Sequence, residues 1–178
     1  ERPALQTAAK DTTMQLSDLQ LLYEYNYWAS AKILLAATNV TPAELGAPAS
    51  FPNGSLRGVL VHIASAEWVW RLRLDEQVYP TALLNEAEFS TFGDVLARFQ
   101  AEEGKMRAFL ARLTNEQLNA TVTYKDTGGK ESSQILWQIL THVVMHGMQH
   151  RAEAAAILTD LGHSPGNIDL IVYLRERR

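Results

Sequence analysis

From Ser132 to Gly162 the chain reads SSQILWQILTHVVMHGMQHRAEAAAILTDLG. Apolar residues recur along this stretch at intervals of three and four, which is the pattern of an amphipathic helix. We expect Ser132 or Ser133 to cap its start, because serine accepts backbone hydrogen bonds there. We expect Gly162 to end it in a left-handed conformation. This stretch predicts one long helix, the clearest element of the chain.

Three further apolar stripes predict long helices at about residues 17–38, 55–75 and 91–114. The first two are separated by a turn-forming linker that begins at Thr41-Pro42, where we expect the first helix to have ended. Valines and threonines between Leu118 and Glu131 predict a short hairpin, and residues 168–176 predict a final short helix. Together these elements predict an all-α protein, a four-helix bundle with long crossover loops.

The composition predicts one folded domain over residues 17–178, preceded by a flexible segment at residues 1–16. Of the 178 residues, 47% are apolar and 20% are charged, as in globular proteins. No apolar run approaches the roughly 20 residues that a membrane helix needs, and the first residues lack the pattern of a signal peptide. We therefore expect a cytoplasmic protein without membrane contacts. The net charge of -4 argues against nucleic-acid binding.

The chain contains no cysteine, so a transition metal would have to be held by imidazole, carboxylate, backbone or water. His142, His146 and His150 follow one another at steps of four residues on the predicted fourth helix. Neighbours in this series share a face, but across all three the direction drifts by about 80° and the backbone rises about 12 Å. Metal–nitrogen bonds are only about 2.0–2.1 Å long. The helix therefore predicts two ligands, with a third from elsewhere.

His62, inside the predicted second helix, is the best remaining candidate for that third ligand. Spacing leaves open whether His142 and His146, or His146 and His150, form the pair on the fourth helix. The alternative for each residue is an ordinary core or surface histidine, since a lone histidine in an apolar helix is more often that than a ligand. Four candidates on two apolar helices favour the metal site.

Two acidic residues lie close to these histidines in sequence. Glu67 follows His62 by five residues and Glu153 follows His150 by three. Either could accept a hydrogen bond from an imidazole and fix its orientation, or could be a solvated surface charge. We expect the surface role for Glu153. For Glu67 both roles stay open, and it is also the candidate general base.

The segment His142-Val-Val-Met-His146-Gly-Met-Gln-His150-Arg151-Ala152-Glu153 resembles the His-x-x-x-His-x-x-x-His-Arg-Gly-Gln/Glu signature of the DinB/YfiT-like metalloenzymes. Tyr27-Trp28-Ala29 resembles the first helix of that family, and Leu60-Val61-His62-Ile63 resembles its second-helix ligand segment. The resemblance covers roughly residues 17–175. One departure is Ala152, where the family usually has glycine.

The resemblance implies a bundle of up-down-down-up topology, commonly dimeric, with a metal ion bound by His62, His146 and His150. It makes His142 a neighbour of the site rather than a ligand. Imidazole suits several divalent metals, and among these we expect zinc or nickel. A homodimer is the expected assembly.

Three imidazoles leave an open position on the metal, which is typical of a catalytic site. Such a site can lower the pKa of bound water to about 7 or stabilise a thiolate. Characterised proteins similar to this chain include thiol S-transferases and a thiol-dependent isomerase, so the resemblance implies a metal-dependent transferase that activates a low-molecular-weight thiol. The alternatives are a metal-dependent hydrolase, with Glu67 as its base, and a non-catalytic stress-response protein that binds metal or another ligand.

Overall fold

The computed structural model describes residues 13–177, so positions 1–12 of the predicted flexible segment lie outside it. The described chain is mostly helical with one two-stranded sheet in this range, which confirms the all-α class. The helix that begins at Leu56 continues directly into a π-helical turn at Leu72–Glu76. The elements are α1 (Leu16–Ala37), α2 (Pro42–Leu45), α3 (Leu56–Arg71) with its π turn (Leu72–Glu76), α4 (Phe92–Leu110), α5 (Asn115–Leu118), β1 (Thr121–Lys125), β2 (Glu131–Ile135), α6 (Leu136–Asp160) and α7 (Leu170–Glu176).

The sequence prediction lacks two short helices, α2 and α5. Each follows a threonine whose hydroxyl accepts a hydrogen bond from the backbone three residues later: Thr41 from Glu44, and Thr114 from Gln117. The glutamate and glutamine side chains accept from the threonine N–H in return, which completes a capping box. Pro42 begins α2 rather than only ending the helix before it, because the first helical position needs no N–H donor.

The predicted hairpin is present, since β1 and β2 pair antiparallel. The expectation that Ser132 or Ser133 caps the fourth helix is wrong, because both serines belong to β2. Ser133 lies opposite Thr123, and the two hydroxyl oxygens are 2.8 Å apart. Strand pairing occupies the serine backbone, so α6 begins only at Leu136.

The four long helices pack through two main apolar clusters separated by a polar layer. α6 contacts both α1 and α3, and α3 also contacts α4. One cluster gathers the C-terminal halves of α1 and α6 with the N-terminal halves of α3 and α4, and the other gathers the opposite halves of α1, α4 and α6. Buried polar residues lie between the clusters along the helices: Asn26, Ser30, Glu67, Arg71, Glu102, His150 and Arg151. Because buried polar groups cost free energy unless they are paired, this layer is where function is expected.

The predicted C-terminal helix is present as α7, which packs on α1. The rings of Tyr173 and Tyr25 contact each other there, with centroids 6.1 Å apart. Within residues 13–177, no helix combines the length and the apolarity that crossing a membrane requires.

Candidate metal centre

Three histidine side chains meet where α3 faces α6. His62 comes from α3, and His146 and His150 come from successive turns of α6. The Nε2 atoms of His62 and His146 lie 3.1 Å apart, and one ring nitrogen of each residue lies within 4.8 Å of the other two. Two nitrogen ligands of a tetrahedral zinc ion are about 3.4 Å apart when each bond is about 2.1 Å long. The donor set therefore fits one small divalent ion.

A carboxylate orients the third imidazole. His150 Nδ1 lies 2.8 Å from Glu153 Oε2, a distance at which the ring N–H donates to the carboxylate. With its proton on Nδ1, the imidazole keeps the lone pair of Nε2 free. The expectation that Glu153 is a solvated surface charge is therefore wrong, since its side chain is largely enclosed. The sequence already indicated the contact between Glu153 and His150, because residues three apart on a helix share a face.

The surroundings of the cluster favour the neutral form of two of its imidazoles, those of His62 and His146. Burial, together with neighbouring His150, lowers the pKa of His62 below its usual value. Burial and the surrounding histidines lower the pKa of His146 to about 3. A neutral imidazole has a lone pair to offer a metal ion and an imidazolium has none. The electrostatics therefore agree with the geometry of the donor set.

His142 stays outside the three-histidine cluster. Its side chain is exposed, and its ring packs edge-on against Trp70 with centroids 5.8 Å apart. It lines a surface cleft with Trp70 and Tyr124. Of the two pairs that spacing leaves open, the fold thus brings His146 and His150 to the histidine of α3.

A buried arginine ties α6 to α1 directly after His150. Arg151 Nη1 donates to Asn26 Oδ1 and, at 3.3 Å, to Ser30 Oγ. Gly147 permits this approach, because a Cβ there would lie 2.8 Å from Arg151 Nη1 and 2.9 Å from Asn26 Oδ1. These contacts fix the rotation of α6 that aims its histidines at α3. Ala152, the departure from the family signature, is exposed, so its methyl group has room.

A surface cleft of about 430 Å³ reaches the cluster at His62. Ser65, Leu84 and Glu86 line the cleft with this histidine. Glu86 accepts a hydrogen bond from Arg57 Nε at 2.9 Å, which holds that wall in place. The cleft offers a small molecule access to one side of the histidine cluster.

The structure does not bring Glu67 to the histidine cluster. Its Oε1 accepts a hydrogen bond from the Tyr27 hydroxyl at 2.8 Å, and the side chain is buried in the polar layer. Burial raises the pKa of this carboxyl to about 7, against a weaker lowering by Tyr27. The other titratable groups that interact with the Glu67 carboxyl are Tyr23 of α1, Glu102 and Glu103 of α4, and Arg151 of α6.

The raised pKa of Glu67 predicts that this residue makes the fold less stable as the pH rises. The folded state binds the proton more tightly than the unfolded chain, whose pKa is 4.5. The stabilisation is therefore full below pH 4.5 and is lost as the pH passes about 7. We expect a loss of about 3 kcal/mol between pH 4.5 and 8 that Glu67→Gln does not show. Urea unfolding at a series of pH values, with a chelator present, measures this loss. An equal change of the free energy of unfolding with pH in the wild type and in Glu67→Gln would contradict the prediction.

Sequence comparison relates the chain to known proteins over nearly its whole length. The family model described as the DinB family matches residues 11–178. Protein DinB of Bacillus subtilis (strain 168) is 27% identical over 167 residues, which cover 86% of this chain and 91% of that protein. The range matched by the family model includes all four long helices and the three clustered histidines.

Proposed function

This chain belongs to the DinB family, and we propose that it binds a divalent metal ion, zinc or nickel, through His62, His146 and His150 and activates a small thiol for group transfer. The observation that carries the proposal is the convergence of three imidazoles from two helices, with ring nitrogens within 4.8 Å of one another. A donor set of this kind leaves one side of a tetrahedral ion open to substrate.

The metal would supply Lewis acidity, which lowers the pKa of a thiol at the open position. The residues of the chain have separate tasks. Glu153 holds the proton on His150 Nδ1 and so keeps Nε2 available. The cleft beside His62 would bind the body of the thiol compound. Because the chain has no cysteine, the thiol must come from a separate molecule.

Elemental analysis of protein purified without a histidine tag tests the metal site. We expect one divalent ion per chain in the wild type and loss of this ion in His62→Ala. His163→Ala is the matched control, because His163 lies after the end of α6, outside the cluster. Full metal content in His62→Ala would contradict the site.

Cobalt substitution tests the reaction class, because cobalt reports its ligands by its visible spectrum. We expect a small cellular thiol to change the visible spectrum of the cobalt-substituted protein. The control is a cysteine-free protein that holds cobalt in a closed site, and its spectrum should stay unchanged. No change with a panel of low-molecular-weight thiols would count against the transferase. Release of product without added thiol would indicate the hydrolase instead.

We predict that Glu153→Gln weakens metal binding by about 10- to 100-fold, as is typical when a metal-bound imidazole loses its carboxylate partner. Glutamine keeps the size of the side chain and removes only its charge. Competition with a chelator of known affinity measures the effect. Asp160→Asn makes the same charge change at an exposed position of α6 and should leave the affinity unchanged; equal effects of the two substitutions would contradict the role of Glu153.

The up-down-down-up order of the long helices is part of this proposal. It is supported by which helix halves share an apolar cluster: the start of α1 lies with the start of α6 and the end of α4, and the end of α1 lies with the start of α3. The homodimer and the cytoplasmic location stay predictions. If no thiol changes the spectrum of the cobalt-substituted protein and no substrate is turned over, the protein binds metal without catalysing a reaction.

A further inference from the structure

A further cavity lies between α1 and α4, on the side of α3 away from the histidine cluster. Its volume is about 320 Å³, at the lower end of the roughly 300–1,000 Å³ of small-molecule sites. Exposed residues form its mouth, among them Ala31, Leu35 and Gln100, and buried residues form its floor, among them Tyr27 and Glu67. We call it the α1–α3–α4 cavity.

This cavity is separate from the histidine cluster. Glu67 follows His62 by five residues, which places the two side chains about 140° apart around α3. His62 lines the cleft on its own side, and none of the three clustered histidines lines the α1–α3–α4 cavity. A ligand in the cavity would therefore not occupy the proposed metal site.

The floor of the cavity presents a carboxylate with an unused oxygen. Glu67 is only 8% exposed, and its Oε1 accepts the hydrogen bond from Tyr27. Its Oε2 makes no hydrogen bond to any residue in the range 13–177. The neighbouring carboxylates are already engaged: Glu102 accepts from Arg71 and Arg98, and Glu103 from Arg107. Of the three glutamates of this wall, Glu67 is thus the one with which no arginine or lysine of residues 13–177 forms an ion pair, and it is left to bind a ligand.

The charges around the floor favour a cation. Three glutamates line the cavity, and neither lysine nor arginine is among the lining residues of the described chain. Arg151, a buried cation, lowers the pKa of Glu67 by less than Glu102 and Glu103 raise it. Burial makes ionisation of Glu67 costly, and a positive group beside it would offset that cost. A cation and this carboxylate would each stabilise the other.

The remaining walls are apolar. Leu34, Leu96 and Phe99 line the cavity between its mouth and its floor, and Leu35 at the mouth is 70% exposed. Exposed leucine side chains beside a cavity are typical of surfaces that contact an apolar ligand. The ligand that matches both regions has a charged end for the floor and an apolar body for the walls.

We propose that the α1–α3–α4 cavity is a second binding site, which takes a small primary amine with an apolar tail and pairs its ammonium group with Glu67. The Tyr27 hydroxyl holds the carboxylate in position through Oε1. The ammonium group donates to Oε2, and the tail lies against the leucine and phenylalanine side chains.

Isothermal titration with 2-phenylethylamine and with its neutral counterpart 2-phenylethanol tests the proposal. We expect the amine to bind about tenfold more tightly than the alcohol, because a hydrogen bond between charged groups is stronger than one to a hydroxyl. Glu67→Gln should weaken amine binding about tenfold and leave alcohol binding unchanged. Absence of amine binding, equal binding of amine and alcohol, or an unchanged affinity in Glu67→Gln would each overturn the proposal.

Ala31→Trp provides a second test that does not alter the buried layer. Ala31 is exposed on α1 at the mouth of the cavity, so a large side chain there should obstruct entry and weaken the binding of both compounds without unfolding the protein. Unchanged binding would place the amine elsewhere and overturn the proposal. Glu153→Gln, on the far side of α3, should bind the amine as the wild type does. His62→Ala should do so as well, which separates this site from the metal site.

Discussion

His146→Ala is expected to abolish stoichiometric metal binding. His146 lies between the other two candidate ligands, with its ring centroid 4.9 Å from that of His62 and 4.4 Å from that of His150. Its removal leaves two imidazoles for an ion that needs three protein ligands in an open site. Loss of an outer-shell partner already costs about 10- to 100-fold in affinity, so loss of a ligand should cost more than about 100-fold.

The matched control is His142→Ala, one helical turn earlier. It removes the same side chain from the same helix but from outside the cluster, so we expect full metal content. Elemental analysis of both variants measures the difference, and circular dichroism shows whether each one is folded. Metal retained by His146→Ala, or lost equally from both variants, would contradict the ligand set.

The second large effect concerns stability. Glu102→Ala should lower the free energy of unfolding by about 3 kcal/mol, because it leaves the guanidinium of Arg71 buried without its main partner. Both residues are 1% exposed, and Arg71 Nε donates to Glu102 Oε2 at 2.7 Å. The bond from Arg71 to Glu76 remains, which keeps the loss at the lower end of the usual range for a broken buried pair.

Urea unfolding of Glu102→Ala and Glu103→Ala makes the comparison. Glu103 is the next residue and also pairs with an arginine, but that pair is much more exposed than the pair of Glu102, so its loss should cost at most about 1 kcal/mol. The double variant Arg71→Met with Glu102→Leu should be more stable than Glu102→Ala, because it removes both buried charges. Equal costs for Glu102→Ala and Glu103→Ala would show that burial does not govern this ion pair.

The predictable part of the fold was the part that depends on local pattern. The four long helices follow from apolar spacing, and the hairpin follows from β-branched residues around a tight turn. The errors lie where two local signals compete. Ser132 and Ser133 could cap a helix or pair in a strand, and the pairing partner, β1, decides between these outcomes. Thr41-Pro42 marks a helix start as well as a helix end, and only its capping box with Glu44 separates the two readings.

Sequence alone determined that one helix could supply two metal ligands and that a third had to come from another element, because helical rise and rotation are local properties. Helical spacing did not decide between His142 and His150 as the partner of His146; at the level of sequence only the family resemblance implied His150. That choice depends on how α6 is rotated against α3, which is set by the contact of Arg151 with α1 across Gly147. The tertiary structure also decided the roles of the two glutamates: Glu153 joins the histidines, and Glu67 faces the opposite cavity. Spacing along the chain fixes the angle between two side chains of one helix. Only the packing of that helix against its neighbours fixes which other residues those side chains face.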